Sequence, residues 1–97
     1  MQPLTKMQIQ TLYEQAMNLR EAGKAEEALG QFGQIIEANP NIAEPHFQAA
    51  RIFLDGGRYD RAITHFSAAA TLKAAEPVIW QGWAAAVALL GAPEAER

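Results

Sequence analysis

The chain has 97 residues, 49% of them hydrophobic and 20% charged, the balance of a folded globular domain and not of a disordered segment. Its formal charge of -3 leaves no basic excess for tracking nucleic-acid phosphates, and the absence of cysteine removes disulfides, thiolate metal sites and thiol nucleophiles. The longest apolar run, Trp83 to Leu90, is far short of the ~20 residues that cross a bilayer, and the amino terminus carries no apolar secretory stretch. One small, soluble cytoplasmic domain of modest stability, without membrane or nucleic-acid partners, is the expectation.

Thr5 and Gln8 have capping-box spacing, and Ile9, Leu12, Ala16 and Leu19 follow at steps of three and four. A first helix is therefore predicted, ended by Gly23. A second begins two or three residues later, with Ala25, Ala28, Leu29, Phe32, Ile35 and Ile36 on one face. It stops at Asn39-Pro40, because proline disfavours the α conformation in its predecessor. Gly30 and Gly33 lie inside this helix, where they either admit a close neighbour or weaken it. Asn41 is the predicted cap of a third helix, which has Pro45 in its first turn, carries His46, Ala49, Ala50 and Phe53, and closes at Gly56-Gly57. The fourth runs from about Tyr59 to Lys73 through Ala62, Ile63, Phe66, Ala69 and Ala70. Glu76-Pro77 opens a fifth bearing Ile79, Trp80, Trp83, Ala84 and Val87, which Gly91 closes. Pro93-Glu94-Ala95 reads as the start of a sixth. Alternating β-branched runs are absent, so the fold class is all-α.

These elements recur at one interval. Ala16, Ala50 and Ala84 are 34 residues apart, as are Gly23, Gly57 and Gly91, and the bulky positions Leu19, Phe53 and Val87 keep the same step. Ala28 pairs with Ala62 and Phe32 with Phe66. A period of this size marks a solenoid built from one supersecondary unit, in which a single hairpin cannot bury its own apolar face. The units are expected at about 9–42 and 43–76, with a partial third at 77–97. Small residues at Ala16, Ala28, Ala50 and Ala62 let paired helices approach, while Phe32, Phe53 and Phe66 fill the spaces between hairpins. Two antiparallel hairpins plus one extra helix, in a right-handed superhelical array, are expected.

The pattern resembles the tetratricopeptide repeat, a 34-residue helix-turn-helix unit with the signature W-x2-L-G-x2-Y, A-x3-F, P. Leu12, Gln15, Ala16, Leu19, Ala28, Phe32 and Pro40 fill the first copy. His46, Ala49, Ala50, Phe53, Ala62 and Phe66 fill the second, and Trp80, Trp83, Ala84, Val87 and Gly91 begin a third. The resemblance implies a non-catalytic scaffold that binds a protein or peptide on the concave face lined by the first helix of each hairpin. By position, that groove comprises Tyr13, Met17, Phe47, Arg51, Leu54 and Gln81, flanked by Gln10, Arg20, Glu44 and Val78. Members that hold a terminal carboxylate use lysine, asparagine and arginine; the matching positions here are Tyr13, Met17, Gln48, Val78 and Gly82, so that mode is not expected. Two alternatives stand beside the scaffold reading. The Glu-Pro-x-x-Trp helix opening is loosely similar to repeat segments ahead of bacterial sulfotransferase domains, which implies a repeat domain of a larger enzyme. Self-association is the other: Trp80, Trp83 and Val87 on a helix without a following partner predict an apolar end that a second copy covers, giving a homodimer.

No catalytic, cofactor or metal site is expected. His46 and His65 occupy different helices on non-equivalent faces, with no carboxylate at ligand spacing from both, and read as structural histidines. Glu26, Glu27 and Asp60 sit in first turns, where a helix dipole favours them. Asp55, Arg58, Asp60 and Arg61 read as a polar, salt-bridged corner of mixed charge. The glycines lack phosphate-loop spacing.

Overall fold

The computed structural model describes residues 4–92, which form five helices: α1 (Lys6–Glu21), α2 (Ala25–Ala38), α3 (Ala43–Asp55), α4 (Tyr59–Leu72) and α5 (Pro77–Leu90). No strand occurs among the described residues. The chain is an all-α array: α1 packs on α2 and α3 on α4 as hairpins, α2 meets α3, and α5 closes on α4. The array measures 45 × 29 × 22 Å. The sixth helix expected from Pro93-Glu94-Ala95 lies outside the described residues.

Local signals set the helix ends. Thr5 and Gln8 form the capping box reciprocally: the Thr5 hydroxyl accepts from the Gln8 amide at 3.1 Å, and the Gln8 side chain accepts from the Thr5 amide at 2.9 Å. Each hairpin turn uses a left-handed glycine, Gly23 at φ 80° and Gly57 at φ 78°. In the first turn the Lys24 amide donates to Leu19 and the Gly23 amide to Arg20; 34 residues on, Arg58 donates to Phe53 and Gly57 to Leu54. This paired closure satisfies the last carbonyls of α1 and α3, and only glycine adopts its geometry without strain. Gly91 differs, ending α5 in right-handed geometry. Asn41 does not cap α3 as expected. Ile42 holds that position without a side-chain bond, and the Asn41 amide donates to the Asn39 side chain at 3.2 Å in a tight turn just before it.

Ala16, Ala28, Ala50 and Ala62 are fully buried at the hairpin seams, and Phe32 and Phe66 are the largest fully buried side chains. Phe53 is half-buried and packs against both the first and the second core cluster. Gly30 and Gly33 admit no close neighbour: a methyl built on either meets nothing within 4 Å. Both simply weaken α2, so Gly30→Ala and Gly33→Ala should each stabilise the protein by about 0.5–1 kcal/mol, read as a higher urea midpoint at unchanged slope.

The 34-residue register also explains the two sides of α5. Pro45, Gln48, Ala49 and Ile52 form the buried face of α3 toward the first hairpin, and their equivalents Ile79, Gly82, Trp83 and Ala86 are, with Leu89, the buried or half-buried residues of α5. Phe47, Ala50 and Leu54 instead pack in the cluster containing Phe66 and Ala62 of α4. Their equivalents Gln81, Ala84 and Ala88 are exposed, because no described helix stands where α4 stands for α3. Ala84 thus differs from Ala16 and Ala50 through its surroundings alone.

Candidate functional site

The odd-numbered helices, which begin each repeat, hold the residues singled out from sequence. Tyr13 and Met17 on α1 are half-buried against the first core cluster, and Phe47 and Leu54 on α3 against the second. Each gives part of its surface to the core and keeps part at the solvent. The Tyr13 ring meets Phe32 edge-on at 5.7 Å, and Phe47 meets Phe66 edge-on at 6.0 Å, the same contact one repeat later. Arg51 is exposed, with its guanidinium 5.7 Å from the centre of the Phe47 ring. Gln81 is exposed on α5.

Gln48 is a polar member of this face whose bridging role was not apparent from sequence. It is 9% exposed; its carbonyl accepts from Arg20 at 3.2 Å and its amide donates to the Tyr13 hydroxyl at 3.4 Å. The three side chains tie α1 to α3 across the seam between repeats, so that losing either outer partner leaves a buried amide group unpaired.

Two clefts open between successive odd-numbered helices. One, of about 440 Å³, is lined by Ile9, Tyr13, Ile42 and Pro45, with Lys6 and Glu44 on its rim. The other, of about 200 Å³, lies between α3 and α5 over Ala43, Phe47, Val78 and Ile79, with Glu76 at its edge. Glu44 lines both. Its carboxylate is ion-paired to the Lys73 ammonium, which holds the Glu44 carboxyl below its ordinary value and raises that of Lys73. The contributions of Asn39, Ile42, Lys73 and Glu76 come from the ends of even-numbered helices and the following turns, outside the face that position alone marked.

The histidines were expected on unrelated faces, yet the structure brings them together. Their Nδ1 atoms lie 3.4 Å apart, and their ring centroids, at 5.7 Å, are farther apart by only about the two ring radii. The nitrogens therefore point at each other. His46 Nε2 is 3.0 Å from the Pro40 carbonyl, which can only accept, so neutral His46 carries its proton there and offers Nδ1 as acceptor to the His65 Nδ1–H. Arg61, one turn before His65 on α4, lies with its guanidinium 5.9 Å from the centre of the Phe53 ring, which stacks on His65 at 5.5 Å. Burial, then the neighbouring His46, holds His65 below the usual histidine value of 6.5. A lowered base binds its proton more weakly folded than unfolded, so stability is complete above about pH 6.5 and declines below it. Thermal unfolding should show this fall as the pH drops below about 6.5, no steeper than about 1.4 kcal/mol per pH unit per proton, and His65→Gln should flatten it.

The salt bridge at the charged corner reaches across to the preceding hairpin. Arg58 pairs with Glu26 of the preceding hairpin at 3.0 Å, Asp60 accepts the Arg61 amide at 2.9 Å, and both arginines lie over the Phe53 ring. At the far end, Trp80 is 45% exposed and stacks on half-buried Trp83 at 5.2 Å, while its indole N–H donates to Ala74 at 2.6 Å. Val87 is 51% exposed, and with Trp80, Trp83, Ala84 and Ala88 it borders a shallow apolar groove. Among the described residues no three His, Asp or Glu side chains gather as a metal ion requires, and no helix is long and apolar enough to cross a membrane.

Stacked helix hairpins with glycine-closed turns, presenting their odd-numbered helices on one face, define a helical-repeat protein. The family model for the tetratricopeptide repeat matches residues 13–77, well over half of the chain. The chain belongs to the tetratricopeptide repeat family. Comparison with curated proteins returned no match. Repeats of this family generally serve as protein-interaction scaffolds and are typically non-catalytic.

Proposed function

We propose that this chain is a non-catalytic scaffold that binds a protein or peptide along the face of α1, α3 and α5, through Tyr13, Met17, Phe47, Arg51, Leu54 and Gln81. The observation that carries this reading is Phe47 with Arg51: an aromatic ring anchored on Phe66, still partly at the solvent, with an exposed guanidinium over it. Rigid aromatic and arginine side chains are the groups that dominate protein interfaces. Affinity capture with wild type and with a Phe47→Ala/Arg51→Ala variant tests it. A partner held by wild type and lost by the folded variant is the expected result; identical partners with both removes the proposal.

The uncovered face of α5 favours a second, compatible role in self-association. Val78, Trp80, Val87 and Leu90 are four of the six exposed large hydrophobics among the described residues, and α5 contains no charged residue. A second copy laid on Trp80, Trp83 and Val87 removes this surface from water at about 25 cal/mol per Å². Sedimentation should show a concentration-dependent dimer that Val87→Glu abolishes; a strict monomer at high concentration ends this reading.

A further inference from the structure

The two clefts are one site made twice. Every residue lining the cleft between α3 and α5 stands 34 positions after one lining the cleft between α1 and α3: Ala43 after Ile9, Phe47 after Tyr13, Ile79 after Pro45. The turn residues follow suit, Lys73 after Asn39 and Glu76 after Ile42. Their charges are not duplicated. Lys6 borders the first cleft alone and Glu76 the second alone, while Glu44 and Lys73 neutralise each other between them.

We propose that these clefts are paired subsites for two apolar side chains, three residues apart, of one extended peptide that carries an acidic group outside the first and a basic group outside the second. This rests on the scaffold reading above and specifies its ligand. The repeat sets the spacing. Cα atoms of α3 and α5 come within 8 Å of each other and the Gln48–Tyr13 bond links α3 to α1, while helices in contact lie about 8–10 Å apart. A polyproline-type chain returns the same face every three residues after about 9 Å, which matches that step. A β-strand turns its third side chain to the opposite side, and an α-helix, about 10–12 Å across, rests on the rims without entering. Lys6 and Glu76 then fix the direction, since reversing the peptide sets like charges together at both ends.

Fluorescence anisotropy with labelled synthetic peptides on the full chain tests this. The probes are acetyl-Asp-Leu-Pro-Pro-Leu-Lys-amide, the same peptide with one or three residues between the leucines, and its charge-reversed form, Lys first and Asp last. The two-residue spacer should bind at least about tenfold tighter than either alternative, and the charge-reversed form about threefold more weakly at low salt. Tyr13→Ala and Phe47→Ala should each weaken binding about tenfold. The exposed-site swap Lys6→Glu/Glu76→Lys should invert the preferred charge order, and 0.5 M salt should erase that order while keeping the spacing preference. Binding that Phe47→Ala abolishes but that ignores spacing and charge order overturns the paired subsites and leaves the scaffold reading intact. No binding by any of the peptides also overturns the inference, whereas the scaffold reading falls only if captured partners survive Phe47→Ala/Arg51→Ala.

Discussion

Replacing Phe66 by alanine should come close to unfolding the protein. The ring is fully buried, meets Phe47 edge-on, packs with Ala50, Ala62 and Ala86, and lies against Gly82. It therefore sits where α3, α4 and α5 meet. Truncating a buried phenylalanine costs about 3–5 kcal/mol, because the transfer energy is lost and the cavity collapses only in part. Domains hold about 5–15 kcal/mol in total, and one this small lies toward the low end. Urea unfolding of Phe66→Ala should show a greatly lowered midpoint, whereas Phe66→Leu, which keeps most of the volume, should lose far less. A cost under about 1 kcal/mol for the alanine variant would place the second core elsewhere.

Gly82→Ala should loosen α5 despite adding only one methyl group. A Cβ at Gly82 falls 2.5 Å from two atoms of the Phe66 ring, and that ring is enclosed on its other sides. The helix must move out, at about 1–3 kcal/mol for an overpacked contact, even though alanine is the better helix former. Trp83 reports on the event, since it packs in both clusters that α5 touches. Its fluorescence should shift toward that of a solvated indole. In a Phe66→Leu background the same substitution should cost much less, because the side chain that it strikes is shorter, and a double-mutant cycle should give that coupling directly. Equal cost in both backgrounds would refute the contact.

Gly30, Gly33 and Gly82 all look alike in sequence, each a glycine inside a helical pattern, yet Ala is expected to stabilise at the first two and destabilise at the third. The difference is an aromatic ring from another helix, and periodicity carries no information about it. The candidate site divides in the same way. Tyr13, Met17, Phe47 and Leu54 could be marked by their place in the repeat, since the register assigns a helix face. Gln48 as a bridge, Glu44 shared by two clefts, and the entry of Asn39, Ile42, Lys73 and Glu76 into those clefts depend on how far one hairpin stands from the next.

Local signals along the chain set the five helices, most of their ends and their order. The Thr5–Gln8 capping box, the turn glycines and the prolines act within a few residues, and a 34-residue period obliges each hairpin to stack on its neighbour. It thereby also determined that α5 carries an apolar face on the side where α3 receives α4. Helix packing, by contrast, chose the side chains that meet across the stack: His46 with His65, Arg58 with Glu26, Tyr13 with Gln48, Gly82 with Phe66. Those pairs lie far apart in the chain, and their contact depends on the tilt and separation of packed helices, which side-chain volumes throughout the core set jointly.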